Sequence, residues 1–154
     1  MALHRTPAQT KESFSQMIAK YDGFFGAIER FNQMFALPGG DTPTCLGPER
    51  IRQFISIIKE EVEEGFDVAD GFVGLDRLVA MADWLGDLIV YCASEMRRWG
   101  LPTERILDII MMSNFTKLGV DGRPIYDSRA KVLKGPNFVP PEPAIRKLLQ
   151  EMNP

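Results

Sequence analysis

The sequence predicts an all-α fold: a four-helix core followed by a Gly/Pro-rich, basic C-terminal extension. Three observations lead there. Apolar residues recur at helical spacing over long stretches. Gly and Pro fall between those stretches, where caps and breakers belong. Little of the chain shows the alternation of a β-strand.

A first helix is expected over about Lys11–Ala36, interrupted near Gly23–Gly26. Leu37-Pro38-Gly39-Gly40-Asp41-Thr42-Pro43 reads as a loop. Pro48, favoured in a first turn, opens a second helix that should run to about Gly65. Gly71–Gly74 forms a loop or lead-in to a third helix, about Asp76–Trp99. Gly100 fits its C-terminal cap and Pro102 blocks continuation. A fourth helix spans about Thr103–Ser113. Lys117–Pro143 is Gly/Pro-rich and basic, and a short helix follows near Ala144–Met152. At 154 residues one domain is expected over 1–154, with about 117–154 as an appendage.

Hydrophobic content of 45% and charged content of 25% are ordinary for a soluble globular protein. A net charge of −3 and a pI of about 5.2 argue against nucleic acid or an anionic membrane as partner. No apolar run reaches the length of a membrane span, and Met1–Gln9 has no signal-peptide h-region. Cys45 and Cys92 form no metal-spaced motif, so a reduced, cytoplasmic setting is the default. The single histidine, His4, lies in an N-terminus expected to fray. That removes Ser-His-Asp triads, Cys-His pairs, HExxH zinc sites and ferritin-like di-iron sites from consideration. Any metal should be held by oxygen, which points to Mg²⁺ or Mn²⁺.

Two acidic clusters stand out. On a wheel of about 100° per residue, Glu60, Glu61 and Glu64 share one face of the second helix, while Glu63 turns to solvent beside Arg52, Ser56 and Lys59. Ile51, Phe54, Ile55, Ile58 and Val62 form the expected buried stripe, with Glu61 at its border. A solvated charged face is the competing reading of this cluster. In the third helix Leu75, Leu78, Ala82, Leu85, Leu88, Ile89, Val90 and Ala93 cover most of the circumference, so the helix should be central and buried. Asp83 and Asp87 project from one narrow face of it, with Tyr91 and Ser94 on or near that face. Unpaired buried carboxylates cost several kcal/mol and repel each other. A metal ion would neutralise them; a pair such as Asp83 with Arg77 would do so only in part.

Together the clusters resemble the all-α NTP pyrophosphohydrolases, the superfamily that includes MazG, dimeric dUTPases and phosphoribosyl-ATP pyrophosphohydrolase. Their signature is an EExxE helix followed by an ExxD-type helix. Glu60-Glu61-Val62-Glu63-Glu64 matches the first half, and Ala82-Asp83-Trp84-Leu85-Gly86-Asp87 looks like the second. Trp84 stands where ExxD would place its glutamate, so the acids fall at i and i+4, still on one face. Ser113-Asn114-Phe115-Thr116-Lys117-Leu118, Asp121-Gly122-Arg123-Pro124 and Leu133-Lys134-Gly135-Pro136-Asn137 look like the tail of the MazG-like branch. Phe31-Asn32-Gln33-Met34-Phe35 also resembles that branch, so the similarity runs from about Ile28 to Pro141.

The resemblance implies hydrolysis of a nucleoside triphosphate to the monophosphate and pyrophosphate, with dGTP/GTP or dUTP favoured, in control of a nucleotide pool. It implies Glu61, Glu64, Asp83 and Asp87 as ligands of Mg²⁺ or Mn²⁺. Glu60 would orient or deprotonate water, with a share in the metal and with its role exchangeable with that of Glu61. It gives Lys117, Lys131 and Lys134 phosphate oxygens, with Arg123 and Arg129 as weaker candidates. Asn114 would hold phosphate or sugar, and Asn32 with Gln33 would line a base pocket. A homodimer or homotetramer is implied, and short single-domain members occur in phages, where the setting would be the host cytoplasm. Two alternatives stay open: a phosphoribosyl-ATP pyrophosphohydrolase-like enzyme, or an inactive helical interaction protein.

Overall fold

The computed structural model describes residues 20–153. His4 and the Lys11–Ala19 part of the first expected helix lie outside the described residues. The fold is all-α, as expected. Five helices are described: α1 (Gly23–Met34), α2 (Pro48–Gly71), α3 (Gly74–Arg98), α4 (Thr103–Phe115) and α5 (Glu142–Met152). Among the described residues the β features are two isolated antiparallel bridges, Leu118 with Pro124 and Tyr126 with Val132. No described helix is long and apolar enough to cross a membrane. The chain divides into two compact units, one of Met1–Gly40 with Thr44–Gly100, the other of Asp41–Pro43 with Leu101–Pro154.

In the first unit the punctuation works as expected at three places. Left-handed backbone at Asp22 and Gly23 (φ 55° and 86°) starts α1 at the interruption foreseen there. Phe72 and Val73 alone separate α2 from α3, so the two form a tight antiparallel hairpin. Gly100, at φ 66°, closes α3 by donating its N–H to the Arg97 carbonyl at 3.0 Å. The expectation for Gly65 is corrected: α2 runs through it for six more residues. Gly65 serves close packing instead of termination. A Cβ there would lie 2.5 Å from Cζ2 of Trp84.

Cross-links between α2 and α3 show the antiparallel register. Arg50 pairs with Glu95 near one end. The Trp84 indole donates to the Glu61 carbonyl in the middle, at 2.6 Å. Arg77 donates to the Ala69 carbonyl near the turn, at 3.1 Å. α1 packs on α3 as well, where Ser94 Oγ donates to Asn32 Oδ1 at 3.0 Å.

Two burial expectations are corrected. The covered arc of α2 is not the stripe centred between Ile51 and Val62. It holds Phe54, Ile57, Ile58, Gly65 and Val68, and its most buried member is Glu61. Ile51, Ile55, Val62 and Phe66 are exposed. Nor is α3 covered on all sides, since Leu75, Leu78, Leu85 and Ile89 are exposed too. The apolar arcs are wider than the surface that one hairpin and one short helix can cover. Helical phase places both open arcs on one side of the hairpin. Glu60, Glu64 and Asp87 lie toward the other side.

In the second unit α4 and α5 pack on each other, with Ile106 and Leu148 buried. The segment between them is organised more closely than a tail. Ser113 Oγ donates to the Val139 carbonyl at 2.7 Å, and Thr116 Oγ1 accepts from the Val139 N–H at 2.9 Å. The same Asp127 oxygen accepts from the backbone N–H groups of Arg129 (2.8 Å) and Lys131 (2.9 Å). These bonds hold the Asp127 carboxyl below its ordinary range.

Candidate active site

The acidic site is built on the α2–α3 hairpin. Glu61 points into the interhelix space and is only 7% exposed. Glu60 and Glu64 sit one residue before and three after it, with exposed side chains. Asp87 and Tyr91 approach from α3, one turn apart. Burial raises the Glu61 pKa most, followed by the charge of Glu64; a hydrogen bond from Tyr91 opposes them, and Asp87 and Glu60 raise it further. Tyr91 leaves part of its ring exposed while its hydroxyl end sits among these acids. Desolvation at that end raises its pKa, as do Glu61, Asp87 and Glu64.

Glu61 Oε2 is buried and has no hydrogen-bond partner among the described residues. The described ion pairs involve none of Glu60, Glu61, Glu64, Asp83 or Asp87. The pairing of Asp83 with Arg77 is not made; Arg77 caps the Ala69 carbonyl. Asp83 is exposed on α3 one turn before Asp87, and it is not among the charges acting on Glu61 and Tyr91. Among the described residues, no three Asp, Glu, His or Cys side chains stand close enough together to hold a metal ion where they now lie. The fit to a hard divalent cation rests instead on donor chemistry and on the orphaned atom. The donors are all oxygens, they are negatively charged, and one is buried without a proton donor or cation.

Asn32 is buried in this unit too, 4% exposed. Its Oδ1 is taken by Ser94, while Nδ2 is buried without a partner among the described residues. Gln33 is exposed and reaches back to Glu29 at 3.4 Å.

The remaining expected residues belong to the second unit. Asn114 and Lys117 are half-buried at the end of α4, and Lys131 and Lys134 are exposed. The structure brings two of the lysines together: Lys134 Nζ lies 4.5 Å and Lys117 Nζ 5.9 Å from the Phe138 ring centroid. Gly135 makes this possible. A Cβ there would lie 1.7 Å from the Leu118 carbonyl oxygen, so only glycine lets the two segments touch. Lys131 is tied into the Asp127 turn through its backbone N–H.

Two residues of the first unit carry more of the site than their sequence signal suggests. Tyr91 was legible only as a neighbour of the Asp83–Asp87 face. Trp84 was legible only as a departure from the acidic pattern.

No protein-family model matches the chain, and no curated protein matches it. The chain is similar to the crystal structure of a candidate NTP pyrophosphohydrolase from Exiguobacterium sp. 255-15. The identity is 25% and the TM-score 0.46, over 82% of this chain and 94% of that one.

Proposed function

We propose that this chain is a divalent-metal-dependent nucleoside triphosphate pyrophosphohydrolase, releasing a monophosphate and pyrophosphate. The observation that carries the reading is the buried, unpartnered Oε2 of Glu61 beside Glu60, Glu64 and Asp87. Four carboxylates without a cation repel a polyanionic substrate and one another; with a metal ion they become a site for it. Glu61, Glu64, Asp83 and Asp87 would hold Mg²⁺ or Mn²⁺, with Glu60 sharing in it. Bound there, the ion would offset part of the carboxylate charge and polarise phosphate oxygens and water.

Glu60, exposed at the edge of the cluster, is assigned the attacking water, which it orients and whose proton it accepts. Lys117 and Lys134, gathered on Phe138, are assigned phosphate oxygens together with Lys131, and Asn114 phosphate or sugar. The Nδ2 donor of Asn32 suits a carbonyl on the base, which guanine and uracil both carry. That donor disfavours adenine; among the remaining bases the reading takes dGTP/GTP or dUTP as substrate, used in a cytoplasmic nucleotide pool.

The open apolar arcs of α2 and α3 support a second copy as their cover. Ile51, Ile55, Val62 and Phe66 together with Leu75, Leu78, Leu85 and Ile89 form more exposed apolar surface than a lone soluble chain ordinarily keeps. We assign this face to a homodimer, or to a dimer within a tetramer. Light scattering at micromolar protein should give at least twice the chain mass, and a monomeric mass would remove this assignment.

The activity is tested by incubating the chain with each common NTP and dNTP, and with phosphoribosyl-ATP, in Mg²⁺ or Mn²⁺. Monophosphate and pyrophosphate are the expected products. Turnover of phosphoribosyl-ATP alone would move the enzyme to that substrate class. No turnover of any of them would reject the reading.

A further inference from the structure

Trp84 makes two contacts with α2, and they fall on consecutive turns of one face. Its indole N–H donates to the Glu61 carbonyl oxygen at 2.6 Å. Its six-membered ring lies over Gly65, where a Cβ would come within 2.5 Å of Cζ2 and 2.9 Å of Cε2. The hydrogen bond fixes the rotation and height of α2 at Glu61. The ring against Gly65 sets how closely the helices approach one turn later. Both contacts are local to the most buried residue of α2, the one whose carboxylate lies among Asp87, Glu64 and Tyr91.

A tryptophan in this position is not required merely to hold the hairpin. Arg50 with Glu95 and Arg77 with Ala69 already tie α2 to α3 near its two ends. The Trp84 contacts instead act at the point where α2 must present a charged side chain inward. Burying a carboxylate there is unfavourable, and a helix free to rotate by a few tens of degrees would turn Glu61 toward solvent.

We infer that Trp84 is a positioning residue for Glu61: its indole, seated on Gly65 and bonded to the Glu61 carbonyl, keeps the Glu61 carboxylate aimed into the acidic site. The inference rests on the metal-dependent reading above, and it gives a role to the one residue that departs from the acidic pattern of the third helix.

The test uses Mn²⁺ alone as the first probe. The chain has two tryptophans, so its ¹H–¹⁵N spectrum has two indole N–H resonances, and loss of one in Trp84→Phe assigns both. Substoichiometric Mn²⁺ should broaden the Trp84 resonance well before that of Trp99. Phenylalanine keeps an aromatic ring over Gly65 and removes the donor. Trp84→Phe should therefore bind Mn²⁺ about tenfold more weakly and lose about tenfold in kcat, with the KM for nucleotide within about twofold. Gly65→Ala keeps the indole but displaces it, and should give the same signature through the other partner. It also serves if Trp84→Phe does not fold.

Folded variants with unchanged Mn²⁺ affinity and kcat would overturn the inference. So would losses in kcat and KM that follow only the fraction of unfolded protein. If the wild type turns over no nucleotide but Trp84→Phe still weakens Mn²⁺ binding, the nucleotide reading fails and the positioning role stands. A wild type that binds no Mn²⁺ overturns both.

Discussion

Near one end of the α2–α3 hairpin, Glu95 is 9% exposed and receives Arg50, the Trp99 indole at 2.7 Å and Arg98 at 3.5 Å. A few turns away in the same hairpin, Glu61 is similarly buried, with Tyr91 and three negative neighbours around it. Burial acts against the charge of both. At Glu95 the bonds from Arg50 and Trp99 overcome it and bring the pKa below the ordinary 4.5. At Glu61 burial and its neighbours raise the pKa above that value. One helix pair thus holds two glutamates of similar burial and opposite electrostatics. On the proposed reading, the difference separates a carboxylate that completes a structure from one that holds a ligand.

The sharpest way to break this comparison is to neutralise each carboxylate in turn. Glu61→Gln should lower metal-dependent turnover by about 10³-fold, since it removes a charge that would hold the ion. It should leave the metal-free thermal midpoint unchanged or raised, because it relieves repulsion. Glu95→Ala should do the opposite. Two arginines and an indole would lose their acceptor, at a cost of about 3 kcal/mol in chemical unfolding. Its activity per folded molecule should change little. If Glu61→Gln destabilised the metal-free fold as much as Glu95→Ala, the two sites would be the same kind of site. The assignment of Glu61 to a ligand would then be wrong.

The sequence made some of this legible and not the rest, for reasons visible in single residues. Pro48, Gly71–Gly74 and Gly100 mark helix limits because their backbone preferences act locally, whatever surrounds them. Gly65 carries the same letter and a different meaning. A missing Cβ can end a helix or admit a neighbour, and only the partner, Trp84, decides which. The helical wheel grouped Glu60, Glu61 and Glu64, because phase is a property of one helix. It could not say which part of a wide apolar arc meets another helix of the same chain. That choice put Glu61 at the centre of the buried arc and left Ile51 and Val62 outside it. The meeting of Lys117 with Lys134 was beyond it as well, since it depends on a backbone contact at Gly135 that no spacing rule encodes.

A finer version of the comparison uses pH on the metal-free protein, with a chelator present. Between the ordinary value of 4.5 and the higher value of Glu61 in the fold, the native chain keeps a proton that the unfolded chain has released. The contribution of Glu61 to stability therefore rises as pH falls through its folded value, and it stops rising near 4.5. Glu95 runs the other way: its stabilisation is complete above 4.5 and is lost as pH falls through its lower folded value. Thermal midpoints measured from neutral to acid pH should show each effect as a difference from the wild type. Glu61→Gln should remove part of the gain above 4.5, and Glu95→Gln part of the fall below it. Saturating Mg²⁺ should reverse the slope above 4.5 in the wild type, because an ion on Glu61 competes with the proton it would otherwise bind. A wild-type slope there that ignored both the Gln substitution and the metal would show that Glu61 already has a partner in solution, and the contrast with Glu95 would disappear.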